Sequence, residues 1–517
     1  MSPDAPAWRP APRHNLSVRL VDQRLEEGHG ARPALRGAEF EWTYDGLARR
    51  AGSAAGWLAG EGIGRGDVVL LALPDSPEWI AIFLGACRIG AVCALASPTL
   101  PPERLGEAVR RLGPHAVVAE AGARPAAAGR TLAARSARAA ILAGLPDPGP
   151  ARVRAEDPAY LLLTSGSTGP SKWAIHRADD IAACLATYGR RVLRLRPGDT
   201  TWSVAALPSS YGLGNLCYFP FGAGACAAIA GPERSPAACA TACATQGVTV
   251  LFGVPSSWAR LARHAAEGRV SRSAFAGVRL AVSAGEHLPP EVWGAVERTT
   301  GLRLVNGLGS SEASNLYLSD RPGDPRPGTV GWPVPGYDLR IRPDAGEGAG
   351  EGELLVRGPS VMAGYRGDPA ASARALAGGW LHTGDRVRRE PDGRYAFLGR
   401  SGDRFKAGGL WVDVRRVREA LAGHAGVAEA VVLPIRDPDG LLRVGAAVLA
   451  RPAAFATLRE SLLAVASEHL QPHELPRALL ILSALPTTAS GKVDRAELSR
   501  RLAAALTLPP LETEPIR

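Results

Sequence analysis

The 517-residue chain has almost no lysine: Lys172, Lys406 and Lys492 stand alone among 60 basic residues, and all the others are arginine. On solvated surfaces the two residues serve about equally well, so compositional drift can replace lysine nearly everywhere. A lysine kept against that drift marks a position suited to a compact ammonium on a flexible stem rather than a planar fork. Asparagine is almost as scarce, at Asn15, Asn215, Asn306 and Asn315. No run of about 18 uncharged apolar residues occurs, so no membrane helix is expected. Residues 1–13 lack the basic start and apolar stretch of a secretory leader, and a cytoplasmic protein is expected. Seven cysteines make an odd number scattered along the chain. Cys239 and Cys243 lie four apart, but no Cys/His pair completes a zinc site, and His176, His287 and His382 have no metal-ligand spacing. The cysteines read as small buried side chains in a reducing compartment. The net charge of +10 comes without basic runs interleaved with aromatics, so no nucleic-acid partner is expected. Excess positive charge also suits small anionic substrates such as nucleotides.

What is present is an ordinary globular composition, 46% hydrophobic and 21% charged, long enough for more than one domain. Residues 51–96 read as helix 51–58, strand 67–72, helix 78–90 and strand 91–96, punctuated by Gly and Pro. The alternation returns over 181–305, where 250–254 and 280–283 are short apolar runs of the kind found in parallel sheets. This is an α/β protein built on wound βα units. Residues 119–156, rich in Ala, Arg, Gly and Pro, are expected to be partly irregular. Residues 328–398 change to short strands (339–342, 353–357, 394–398) and form a β-rich subdomain. A last α+β unit reads helix 414–423, strands 429–434 and 443–450, helix 456–469 and strand 478–482.

The first lysine closes Tyr160-Leu-Leu-Leu-Thr-Ser-Gly-Ser-Thr-Gly-Pro-Ser-Lys172, an apolar strand running into a Ser/Thr/Gly turn. Such a turn offers backbone N–H groups and hydroxyls to phosphate oxygens, as a plain polar loop also would. The Gly-Lys-Ser/Thr of a Walker A loop is missing. Residues 164–172 resemble the phosphate-binding signature of the acyl-adenylate-forming superfamily of acyl-CoA ligases, peptide-synthetase adenylation domains and luciferases. Four further segments resemble that family's signatures, in its order. They are Asn306-Gly-Leu-Gly-Ser-Ser-Glu312, Trp380-Leu-His-Thr-Gly-Asp385, Tyr395-Ala-Phe-Leu-Gly-Arg400 and Pro486-Thr-Thr-Ala-Ser-Gly-Lys492. The resemblance runs from about residue 15 to 505.

The resemblance implies a large N-terminal domain (1–399), a hinge (400–409) and a small mobile C-terminal domain (410–517) carrying the catalytic lysine. It implies ATP as substrate, with Thr164, Ser165, Gly166, Ser167, Thr168, Gly169 and Lys172 on the β- and γ-phosphates. Gly285, Glu286, Asn306, Gly307, Leu308, Ser311 and Phe397 would surround the adenosine, and Asp385 would take the ribose hydroxyls with help from Arg400. Lys492, Ser311 and Glu312 form the implied catalytic set. A carboxylate attacking the α-phosphate brings two anions together, and Lys492 is a point cation able to bridge them. Glu312 fits a Mg²⁺ ligand, since Mg²⁺ in phosphoryl chemistry takes one or two carboxylates plus phosphate oxygens. Gly402 stands at the hinge position, where the family commonly has an acid. Lys406, Gly408 and Gly409 fall in the implied thiol tunnel. Two other departures are Trp173, where the family has a small residue, and Arg415, Arg416 and Arg418, where acids are usual. The arginines either cover a solvated helix face or attract an anionic acyl acceptor.

Within the superfamily, Ser210-Tyr-Gly-Leu-Gly-Asn215, Leu318-Ser-Asp-Arg-Pro-Gly323 and residues 328–336 most resemble benzoate- and hydroxybenzoate-CoA ligases. That implies a flat acyl pocket near Tyr211, Gly212, Ala284, Gly285, Leu308, Gly309 and Asn315. The acid is then a small aromatic one, with a hydroxy or amino substituent read by the Asn315 amide. Coenzyme A is the expected acceptor. A carrier-protein pantetheine thiol or a small amine or hydroxyl nucleophile is the alternative, and a non-catalytic nucleotide-binding homologue is the reading from another class. No membrane partner is expected, and a homodimer remains open.

Overall fold

The computed structural model describes residues 14–100, 102–120, 130–164, 171–229, 231, 233–343, 350–400, 404–407, 410–437, 442–451, 458–487 and 493–506. The chain divides into two compact units. The first takes the described residues up to 383 and 387–397, and the second takes 384–386 and those from 398 onward.

The first unit is built on two large sheets. One has seven strands, in the order Gly364–Tyr365, Lys172–Arg177, Pro158–Thr164, Val92–Leu95, Val68–Ala72, Ala116–Ala119, Thr131–Ala133. Its inner strands are parallel and buried along their length, as expected where helices cover both faces. The helix Pro77–Arg88 connects two of them. Its Ser76 side chain accepts the Trp79 N–H, and Pro77 occupies the first turn, where its missing N–H costs nothing. The other sheet has nine strands, and Thr200–Ser203, Val250–Gly253, Leu280–Ser283 and Leu304–Gly309 run parallel at its heart. The expected strands at 250–254 and 280–283 are there, and so are the helix–strand pairs of residues 51–96, within helices Tyr44–Gly60 and Pro77–Arg88. Residues 145–154 carry no regular structure, in line with the composition of 119–156.

The expected β-rich segment is a four-stranded sheet, ordered Asp338–Arg342, Glu351–Arg357, Leu381–Arg389, Tyr395–Arg400. In the second unit, Val427–Arg436 pairs antiparallel with Leu442–Ala450, which pairs parallel with Ala478–Leu482, and helices Val414–Ala422 and Leu458–His469 accompany them. Two elements were not foreseen: the ribbon of Arg404–Ala407 with Leu410–Asp413, and the helix Arg495–Leu506. On helix Val414–Ala422, Val414, Val417 and Leu421 are buried, while Arg415 is exposed and paired with Glu419 at 3.4 Å. Arg416 is exposed too and donates to the His469 carbonyl. That is the solvated-face arrangement of the arginine cluster. All seven cysteines are buried and free. Among the described residues no helix is long and apolar enough to cross a membrane.

Candidate nucleotide-activating site

The hairpin of Pro158–Thr164 and Lys172–Arg177 sets the first part of the site. Its register pairs Thr164 with Lys172, so both ends of the phosphate signature stand side by side. Ser165, Gly166, Ser167, Thr168 and Gly169 lie outside the described residues. Side chains alternate along a strand. Trp173 and Ile175 go to one face, into the core with Val68, Leu70 and Leu161. Trp173 is 1% exposed, and its indole N–H donates to the Ala108 carbonyl at 3.2 Å. The bulky residue that departs from the family pattern is therefore a core residue and does not fill the phosphate face. Lys172, Ala174 and His176 take the other face.

Tyr365 pairs with Ala174 on the neighbouring short strand. That register places its ring beneath Lys172, with Nζ 5.4 Å from the ring centroid. Its hydroxyl donates to Glu312 Oε1 at 2.9 Å. The phosphate-loop lysine and the metal-candidate carboxylate are thus joined through one tyrosine that no motif flagged.

Glu312 belongs to a tight turn, Ser311–Ala313, just past the strand Leu304–Gly309. The ends of parallel strands are where α/β sheets place ligands. The next strand over, Leu280–Ser283, ends in Ala284, Gly285 and Glu286. Gly285 has φ +90°, a conformation that favours glycine. The Glu286 carboxylate accepts the Ser256 N–H at 3.0 Å and its hydroxyl at 3.3 Å. It thereby ties this turn to the start of helix Pro255–Ala266. The His287 and Phe397 rings meet at a tilt of 31° with centroids 6.1 Å apart, which brings Phe397 to the same turn.

Asn306 is nearly buried. Its backbone N–H donates to Asp320 Oδ2 at 3.1 Å, and its amide donates to the Thr329 carbonyl at 2.8 Å. Asp320 is fully buried, and that burial pushes its carboxyl up to about 7 against the opposing pull of the Asn306 and Thr329 hydrogen bonds and of Arg394. Asn306 Oδ1 and Ser310 Oγ are among the buried side-chain atoms of the described residues that have no partner. Buried polar atoms are nearly always satisfied, so both fit a site that a ligand or ordered water completes. Gly307 lies within the strand, and Leu308 and Gly309 are half-exposed at its end.

The implied acyl residues converge on the same end of the sheet. Tyr211 meets Phe252 edge-on at 6.0 Å, and its hydroxyl donates to the Val282 carbonyl at 3.3 Å. Gly212 packs against the Ala206 carbonyl and Gly309 against that of Asn315, each leaving no room for a Cβ. Asn315 is buried. Its side-chain oxygen Oδ1 already accepts the Leu316 N–H at 2.8 Å, and its side-chain amide donates to the Tyr218 hydroxyl at 2.9 Å. One amide hydrogen is left over, so the residue is better placed to donate to a ring substituent than to accept from one.

In the second unit Asp385 is buried and paired with Arg400, Oδ1 to Nε, at 2.9 Å. Lys406 lies in the strand Arg404–Ala407. Gly402, Gly408, Gly409 and Lys492 lie outside the described residues.

Glu312 fits a divalent ion as one carboxylate fits Mg²⁺ beside phosphates. Among the described residues no group of three or more His, Cys, Asp or Glu could cage a metal, and Mg²⁺ typically keeps waters and phosphate oxygens instead.

Comparison with known proteins bears out the resemblance read from the five motifs. The model of the AMP-binding enzyme family matches residues 22–366, and that of the AMP-binding enzyme C-terminal domain matches 417–492. The chain belongs to the AMP-binding enzyme family and carries both of its domains. Within it, the chain is 36% identical over 477 residues to an anthranilate–CoA ligase of Pseudomonas aeruginosa, covering 85% of this chain and 88% of that one. It is 34% identical over 507 residues to a p-hydroxybenzoic acid–AMP ligase of Mycobacterium tuberculosis, covering 94% of this chain and 69% of that one. The structure of an anthranilate CoA ligase in complex with anthranoyl-AMP matches with a TM-score of 0.84 at 27% identity, over 98% of this chain and 99% of that one.

Proposed function

We propose that the protein uses ATP to convert a small aromatic carboxylic acid to its acyl-adenylate and then passes the acyl group to coenzyme A. The observation that carries the reading is the Lys172–Tyr365–Glu312 constellation, a cation and a carboxylate held together at the mouth of the phosphate hairpin. The names of the relatives support an aryl acid.

In the first half-reaction a carboxylate oxygen attacks the α-phosphorus, the α–β bridging bond breaks, and pyrophosphate leaves with its electron pair. Lys172, with the Thr164–Gly169 turn, holds the outgoing phosphates. Lys492 offsets the repulsion between the carboxylate and the α-phosphate. Mg²⁺, held by Glu312, would neutralise phosphate charge. Asp385, kept in place by Arg400, takes the ribose hydroxyls. In the second half-reaction a thiolate attacks the acyl carbon and AMP leaves, after a swing of the small domain about the hinge near Gly402 that presents Lys406, Gly408 and Gly409. Glycine at that position permits large φ/ψ changes.

The acid carries a hydroxyl or amino substituent, whose lone pair suits the remaining Asn315 amide hydrogen. A relative named as an acid–AMP ligase favours a second reading of the acceptor, in which a carrier-protein pantetheine or another small nucleophile replaces coenzyme A. Pyrophosphate release from ATP and a panel of benzoates, with and without coenzyme A, tests both. Adenylate without thioester rules out the CoA ligase assignment, and no pyrophosphate with any acid rules out adenylation.

A further inference from the structure

The turn carrying Glu312 is held by its carbonyls. The Ser311 carbonyl accepts from His176 Nε2 at 2.7 Å, and also from the Ser314 N–H. The Glu312 carbonyl accepts the Met362 N–H at 2.8 Å. The Ala313 carbonyl accepts the Ser360 hydroxyl at 2.6 Å, and the Ser314 carbonyl accepts the Tyr218 hydroxyl at 3.4 Å. Ser314 itself has φ +65°, one of two non-glycine residues in the left-handed region among those described. Such a backbone persists only where its surroundings over-determine it. Of these donors, His176 comes from the strand Lys172–Arg177 that also carries Lys172, and it is fully buried.

The His176 ring is oriented from three sides. It stacks on Tyr160 at 4.9 Å with 15° between the planes, and the Tyr160 hydroxyl is hydrogen-bonded to Ser314 Oγ. Its Nδ1 lies 3.1 Å from Asp180 Oδ2. Asp180 also accepts the Arg177 N–H and the Arg177 side-chain Nε–H, each at 3.0 Å. A carbonyl oxygen can only accept, so Nε2 carries a hydrogen. Nδ1 faces the Asp180 carboxyl, so both ring nitrogens are engaged and the Nε2–H is aimed at the Ser311 carbonyl.

We infer that His176 is a positioning residue for nucleotide activation. Through the Ser311 carbonyl it fixes the turn that aims the Glu312 carboxylate, and Asp180 fixes the ring. The inference rests on the reading of Glu312 as the Mg²⁺ carboxylate. It concerns the metal–phosphate part of the site, which the Glu312 carboxylate serves.

The test compares His176→Asn and His176→Gln in the full chain. A glutamine amide reaches the place of Nε2 and can still donate to Ser311, whereas an asparagine amide reaches only the place of Nδ1. MgATP binding is measured by calorimetric titration. It is set against binding of a benzoyl-sulfamoyl adenosine, an adenylate mimic that needs no metal, and against melting temperature. Expected for His176→Asn is MgATP binding weakened about tenfold with the mimic within twofold of the parent, the size of one buried hydrogen bond. His176→Gln should recover MgATP binding to within about threefold. Equal losses in the two variants, or equal losses for MgATP and the mimic, make the histidine a packing residue and overturn the inference. Glu312→Gln is run alongside. If it leaves MgATP binding and its Mg²⁺ dependence unchanged, the metal reading of Glu312 is wrong and the inference falls with it. A selective loss in Glu312→Gln without one in His176→Asn overturns the positioning role alone.

Discussion

Replacing Tyr365 by phenylalanine deletes one hydroxyl and keeps the ring. The ring still lies beneath Lys172 Nζ, 5.4 Å from its centroid, so the cation keeps its neighbour. Glu312 Oε1 loses a donor at 2.9 Å. A hydrogen bond to a charged group contributes roughly 1.5–3 kcal/mol where water is excluded. Glu312 and Tyr365 are only half-buried, so water recovers part of this, and about 1–2 kcal/mol is expected. That corresponds to a fall of about 5- to 30-fold in kcat/KM for MgATP. The assay is continuous pyrophosphate release at saturating acid with MgATP varied, then with Mg²⁺ varied at fixed ATP. The Mg²⁺ activation curve should move to higher concentration while the KM for the acid stays put. A kcat/KM for MgATP within twofold of the parent, with an unmoved Mg²⁺ curve, would refute the coupling of Tyr365 to the metal carboxylate.

Lys492→Ala should abolish adenylate formation, read as pyrophosphate release, while calorimetry still detects ATP binding; retained activity removes the lysine from its role. Gly309→Ala forces a Cβ onto the Asn315 carbonyl. Overpacking of this kind costs about 1–3 kcal/mol, so the melting temperature should fall by a few degrees and the KM for the acid should rise more than that for ATP. Asp320 has its folded value raised to about 7, above the usual carboxylate range, so the folded state holds its proton more tightly than the unfolded chain. That contribution to stability is complete below about pH 4 and is lost as pH rises toward and through 7. Asp320→Asn should flatten this decline in melting temperature between about pH 4 and 8, and an unchanged slope would contradict it.

The sequence carried the large features because they depend on local pattern. Parallel strands such as Leu280–Ser283 are apolar runs ended by turn residues, and five family motifs in order pointed to the AMP-binding enzyme family. Lys172 and Lys492 drew attention to two of those places, and Lys406 to the segment just past a third. What escaped was set by distance along the chain. His176 sits two strand steps beyond Ala174 and four beyond Lys172, on the same face, and that period-two signal was available. It looked like an isolated histidine because its acceptor, the Ser311 carbonyl, lies 135 residues away. Tyr365 had no motif at all, and only sheet pairing brings it beneath Lys172. Trp173 looked like an intruder in the phosphate loop until alternation along the strand turned it into the core. Asn315 was legible as a polar residue of the implied acyl pocket, but the engagement of its side-chain oxygen by the next N–H was not.

The donors that hold the Glu312 turn come from positions 176, 218, 360 and 362. During synthesis from the N-terminus the two large sheets can begin to form while the last two donors are still unmade or inside the ribosome. The left-handed Ser314 has no reason to adopt its conformation before then. Fixing of the Glu312 turn is thus a late event in the life of the nascent chain, since it waits for Ser360 and Met362. A ribosome-stalled chain released only as far as residue 340 would have much of its core and no fixed turn for Glu312.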